Sequence, residues 1–231
     1  MLRLSVIQLP LFAPNSTRYL NLRRKRFPMM PETRARWRFR LPHWEVADRP
    51  HFITIRCAGS LPADALARVR EIHESLERTE SGSPQFAALQ RKYFLLCERY
   101  LDAGQDPCPF RTRAVCELAI SSLRELSARR DWRVPHFTLM PNHVHLLLIP
   151  GAAPQPLKYA LRGWKWHVAL EANRLLGETG SFWQTDWFDR WARTDGEAIR
   201  MRDYIRQNPV KAGLVARWED YPWTHSEPDT P

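Results

Sequence analysis

The segment from Trp132 to Pro150 constrains the fold of this chain more than any other. A β-compatible run from Trp132 to Met140 meets Pro141-Asn142, and a second run, His143-Val144-His145-Leu146-Leu147-Leu148-Ile149, closes at Pro150. The pattern predicts two antiparallel strands joined directly, although proline at the first loop position argues against a type I′ turn. Residues i and i+2 of a strand project from one face. His143 and His145 therefore point together, Leu147 and Ile149 continue their face, and Val144, Leu146 and Leu148 point into whatever covers the back. Two imidazoles on one strand need only one or two further groups to hold a divalent metal in an open site. The plainer alternative is a pair of histidines at a strand end.

With 231 residues and 44% hydrophobic content, the chain suits one domain with extensions. Four cysteines (Cys57, Cys97, Cys108, Cys116) have no C-x-x-C spacing, so reduced thiols in a cytosolic setting are the expectation. No apolar run approaches the roughly 20 residues that span a bilayer, and no secretory leader is evident; a soluble, unexported protein is expected. The net charge of +10 is concentrated at the start, where residues 1–41 carry ten Lys or Arg against one Glu. That stretch reads as a disordered basic extension attracted to polyanions, or as a solvated leader.

After it, His51 to Cys57 predicts a first strand. Apolar positions at helical spacing (Leu66, Val69, Ile72, Leu76, then Phe86, Leu89, Tyr93, Leu96) predict an inserted helical hairpin over about 63–104. A helix over about 111–128, the two strands already described, and a long helix with Leu157, Leu161, Trp164, Val168, Ala172 and Leu175 on one face and Gly177 as its cap follow. Lys158, Arg162 and Lys165 stripe the other side of that helix, as a phosphate backbone or simply solvent would favour. Phe182 to Trp191 predicts a last strand or an extended packing segment, and a final helix from about Asp195 to Gln207 is expected to end or restart at Pro209. The order is that of an α+β, ferredoxin-like (split βαβ) antiparallel sheet with an inserted helical hairpin and a C-terminal helix bearing a tyrosine. The expected boundaries are a tail over 1–41, one domain over 42–226 and a short tail over 227–231.

In that final helix Tyr204 and Asn208 lie four apart and so on one face, beside the apolar stripe of Ala198, Met201 and Ile205. Taken alone, Tyr204 reads as packing at the edge of that stripe, and Asn208 as the cap of a helix restarting at Pro209.

Met140-Pro-Asn-His-Val-His145 together with Tyr204-Ile-Arg-Gln-Asn-Pro-Val-Lys-Ala-Gly-Leu-Val215 resembles the REP-associated tyrosine transposases, IS200-like members of the HUH endonuclease superfamily. Shorter stretches share the likeness: the first strand through Pro62, Tyr100-Leu-Asp-Ala-Gly, Glu171-Ala-Asn-Arg-Leu-Leu-Gly177, Phe182-Trp-Gln, Phe188-Asp-Arg, and Trp218 to Thr224. The likeness spans roughly His43 to His225, departing where His136-Phe-Thr-Leu replaces a more apolar run. The resemblance implies a bacterial, nucleoid-associated enzyme that nicks and rejoins single-stranded DNA folded as a REP-type hairpin. It implies Tyr204 as nucleophile, giving a 5′-phosphotyrosine and a free 3′-hydroxyl, with His143, His145 and Asn208 holding Mg²⁺ or Mn²⁺. The donor types by themselves favour Mn²⁺, Co²⁺ or Zn²⁺ over Mg²⁺. Lys158, Arg162 and Lys165 are candidates for the hairpin backbone, and Trp183 or Trp187 for stacking on unpaired bases. Partners are DNA, no membrane, and the chain itself as monomer or homodimer. Two further readings are a catalytically silent hairpin-binding protein and a small metalloenzyme unrelated to DNA.

Overall fold

The computed structural model describes residues 32–38, 41–104 and 106–228. Two short strands, β1 (Thr33–Arg38) and β2 (Pro42–Val46), form an antiparallel ribbon. Then come β3 (His51–Arg56), the helical hairpin α1 (Ala63–Arg78) and α2 (Pro84–Asp102), α3 (Arg113–Arg130), β4 (Trp132–Met140), β5 (His143–Pro150), α4 (Leu157–Leu176), β6 (Phe188–Trp191), α5 (Asp195–Lys211) and β7 (Thr224–Ser226).

The main sheet is antiparallel in the order β6-β3-β5-β4-β7. Without the edge strand β7 this is the split βαβ order: β5 lies between the parallel pair β3 and β4, and β3 lies between β5 and β6. The fold is α+β. The central strands β3 and β5 are almost wholly buried, as their continuous apolar runs require. One face carries Ile53, Ile55, Phe137, Val144, Leu146 and Leu148 and packs on α3 and α4, forming the largest core. The other carries Phe52, Leu147, His143 and His145 and packs on α5, with Met201 and Ile205. The α1–α2 hairpin has a core of its own, around Val69, Ile72, Leu76, Phe86 and Tyr93. Ser83 caps α2 by accepting from the Phe86 amide at 3.1 Å, with Pro84 at its first position.

The β4–β5 connection is the two-residue turn Pro141-Asn142, and Asn142 is not among the residues of positive φ, so the turn is not type I′. Its carbonyls are tied down. Pro141 accepts from the Phe110 amide at 3.1 Å and Asn142 from the Cys57 amide at 2.8 Å, which fixes the start of the histidine strand. Helix α4 is capped across the molecule, its Leu157 amide donating to Glu45 at 2.7 Å.

Four expectations need correction. Thr33–Arg38, expected within the basic extension, forms β1; the run of arginines masks a period-2 alternation in which Ala35 and Trp37 turn inward and Arg34, Arg36 and Arg38 outward. The rest of that extension, residues 1–31, 39 and 40, lies outside the described residues. Glu227, expected in the short C-terminal tail, is tied to the sheet, its amide donating to the Pro135 carbonyl at 3.0 Å. Leu175 belongs to the exposed side of α4, at 54% exposure. Helix α5 runs on through Pro209 to Lys211: the proline forfeits one backbone bond, while the Asn208 and Pro209 carbonyls still accept from Ala212 and Leu214.

Candidate metal and nucleophile site

His143 and His145 are fully buried on β5, and their Nε2 atoms face each other at 3.0 Å. Each ring is oriented by its other nitrogen. His143 Nδ1 lies 2.8 Å from Asn142 Oδ1, and His145 Nδ1 lies 2.8 Å from the Thr54 hydroxyl on the neighbouring strand. An Nδ1–H donated to the amide oxygen leaves the His143 Nε2 lone pair outward. Thr54 can either donate or accept, so His145 can present Nε2–H to His143 or a lone pair to a cation without losing its support. The Phe52 ring stacks on His145 at 5.5 Å.

The third group comes from the helical hairpin. Glu98 of α2 is 3% exposed, its Oε2 lies 3.4 Å from His145 Nε2, and its Oε1 has no hydrogen-bond partner. Ligand atoms of Glu98, His143 and His145 all lie within 4.8 Å of one another. A buried carboxylate oxygen without a partner, beside two converging imidazoles, fits a divalent cation. Two nitrogens and a carboxylate suit Mn²⁺ or Zn²⁺ at least as well as Mg²⁺. Burial pushes the Glu98 carboxyl up, but the charges of His145 and His143 and the bonds from His145 and Tyr204 hold it at about 2. Burial, with the neighbouring His145, holds His143 down at about 3.

Tyr204 of α5 donates its hydroxyl proton to Glu98 Oε2, while its ring meets His145 edge-on at 5.5 Å and Phe52 at 5.7 Å. Burial, the Glu98 charge and bond, and the charge of Asp102 raise its pKa well above that of a free phenol; the nearby Asn208 amide pulls the other way. The Lys211 ammonium lies 4.6 Å from the ring centroid. One turn after Tyr204, Asn208 is fully buried, and neither its amide oxygen nor its nitrogen is hydrogen-bonded. The sheet face under α5 thus gathers His143, His145, Glu98, Tyr204 and Asn208, of which Glu98 and Asn208 carry polar atoms without a hydrogen-bond partner.

Glu98 escaped the sequence reading. The signal available was an acid beside the stripe of Phe86, Tyr93, Cys97 and Leu101 on α2, a face that is otherwise apolar. Helix α4 lies on the opposite side of the sheet. There Arg162 is exposed and Lys158 partly so, but Lys165 and Trp183 must be withdrawn as DNA contacts. Lys165 Nζ is buried and donates to the carbonyls of Gln184 and Thr185 at 2.8 and 2.9 Å; burial lowers its pKa to about 8 against the pull of Asp186. Trp183 packs on Trp164 and Phe110 and donates its indole N–H to the Lys165 carbonyl, and Trp187 is buried as well. The exposed aromatics of α4 are Tyr159 (55%) and Trp166 (68%), on either side of Arg162 in sequence.

The chain matches no protein-family model and no curated protein. Among solved structures it is similar to a REP-associated tyrosine transposase bound to a REP hairpin, at a TM-score of 0.44 and 15% identity, over 77% of this chain and 76% of that one. At that level of superposition and identity, what this chain does has to be argued from its own side chains. No helix among the described residues is long and apolar enough to cross a membrane.

Proposed function

We propose that this chain is a metal-dependent enzyme that nicks and rejoins single-stranded DNA, with Tyr204 as nucleophile and a REP-type hairpin as substrate. The observation that carries the reading is the contact of the Tyr204 hydroxyl with Glu98, the carboxylate that also touches the His143–His145 pair. The two long motifs that resemble the REP-associated transposases support it independently.

His143, His145 and Glu98, with the uncommitted Asn208 amide, would hold a divalent cation, Mg²⁺ or Mn²⁺. When bound, it supplies positive charge that polarises the phosphate and offsets the Glu98 charge holding the phenol protonated. Ionising a free tyrosine at pH 7 costs about 4 kcal/mol, and in this setting more. The phenol proton leaves along the hydrogen bond that Tyr204 makes to Glu98 and passes on to solvent water. The Tyr204 oxygen then bonds to phosphorus, the bond from phosphorus to the 3′ oxygen breaks, and that oxygen leaves with a proton. The phosphotyrosine conserves the bond for rejoining. Lys211 beside the ring favours the developing negative charge.

A hairpin-binding protein without turnover is the second reading, and the raised pKa of Tyr204 is the observation on its side. The test is incubation with labelled single-stranded hairpins in Mn²⁺ or EDTA, followed by denaturing electrophoresis. The expected result is a metal-dependent adduct that survives SDS and is absent from Tyr204→Phe. Tight hairpin binding with no adduct under any metal would leave only the binding protein.

A further inference from the structure

A cavity of about 240 Å³ opens between α2, α5 and β6, directly beside the nucleophile's ring. Phe52, Phe94, Phe188 and Tyr204 line it. Phe94 packs against Phe188 at 4.8 Å and against Tyr204 at 5.5 Å, and these three rings stay partly open to solvent. The cavity also reaches Arg91 of α2 and Arg200 of α5, both exposed and neither paired with an acid among the described residues. Arg190, also at this cavity, is by contrast already paired with Glu197 at 2.9 Å. Planar aromatic walls offer a stacking surface to a flat heteroaromatic ring, and two uncommitted guanidiniums offer charge to phosphates on either side of it.

From this juxtaposition we infer that the cavity seats one unpaired nucleobase of the strand being cut, next to the phosphate that Tyr204 attacks. The inference rests on the function proposed above, since it is the Tyr204 ring forming one wall that places the base beside the attacked phosphate. Phe94 and Phe188 stack on the base, while Arg91 and Arg200 hold the flanking backbone. The pocket thereby sets which unpaired position comes to the nucleophile.

The test uses the full chain in EDTA, with fluorescence anisotropy on a short oligothymidylate and on an abasic strand of the same length. Stacking of one base contributes about 1–3 kcal/mol, roughly a 5- to 150-fold preference for the base-bearing strand. Ala87, exposed on α2 at the cavity mouth, supplies the blocking variant. Ala87→Trp is expected to remove most of that preference while leaving abasic-strand affinity unchanged. Arg200→Glu is expected to weaken both strands alike, as loss of a phosphate contact does. A preference that Ala87→Trp leaves intact overturns the pocket. Adduct formation is read on parallel samples in Mn²⁺. An adduct with no Ala87-dependent preference removes the pocket alone, whereas a pocket-dependent preference with no adduct removes the catalytic reading alone.

Discussion

Glu98 is the residue on which the site turns, because a single buried carboxylate meets both the imidazole pair and the Tyr204 hydroxyl. Glu98→Gln keeps the shape and removes the charge, so it is expected to lower divalent-cation affinity in a calorimetric titration and to slow adduct formation by about 10²-fold or more. A variant with unchanged Mn²⁺ affinity and rate would show that Glu98 merely packs. Of these side chains, the histidines stand out in the sequence because the period of a strand puts both on one face, whereas Tyr204 reads as packing by spacing alone and is singled out only by the motif it shares with the tyrosine transposases. Glu98 was legible by neither route: it lies in a hairpin far from both motifs, and only the packing of α2 against the sheet brings it to them. The pair of buried, unbonded atoms on Asn208 was equally invisible, since hydrogen-bond satisfaction depends on what arrives from elsewhere in the chain.

At the scale of elements, periodicity located the helices and strands well and misjudged their surroundings. The i, i+4, i+7 spacing on α4 puts Lys158, Arg162 and Lys165 on one side, open to a phosphate backbone or to solvent, yet Lys165 falls at the edge of the apolar stripe, where the segment containing Gln184 and Thr185 folds over it. Pro209 was read as a break because it cannot donate, but the turn after it bonds through the Asn208 and Pro209 carbonyls, so α5 carries Asn208 within a continuous helix. The polar His136 and Thr138 pair with Ser226 and Thr224 of β7, a three-residue strand too short to show in the sequence. The entry into α4 depends on Gly151. A Cβ there would lie 1.9 Å from Asp131 Oδ1, and that carboxylate is held by the Ala153 amide at 2.7 Å, with Asp131 itself at φ 56°. Gly151→Ala is expected to destabilise the fold by roughly 1–3 kcal/mol in urea unfolding; an unchanged midpoint would mean the Asp131 carboxylate moves aside freely.

For the molecule as a whole, the split βαβ order followed from the order of elements, because few topologies accommodate that alternation. Its tolerance of pH follows from histidines buried in opposite senses. Burial opposes charge on His43, but bonds and attraction from Asp186 and Asp189 raise its pKa to about 9. Its contribution is complete below the ordinary histidine value of 6.5 and is lost as pH rises through about 9. Burial lowers His51 to about 4 and, with nearby arginines, His136 to about 3. Their contribution is present above 6.5 and is lost as pH falls below it. Thermal stability should therefore peak near pH 6.5, and His43→Gln should flatten the alkaline limb alone; a wild-type curve still rising from pH 6.5 to 9 would refute this balance. The central claim is a single reaction, a bond between Tyr204 and DNA. It is tested most directly by digesting the Mn²⁺-dependent adduct with trypsin and nuclease and sequencing the modified peptide by mass spectrometry. The account predicts a phosphonucleotide on Tyr204, within Asp203-Tyr204-Ile205-Arg206; a nucleotide on any other residue would contradict it.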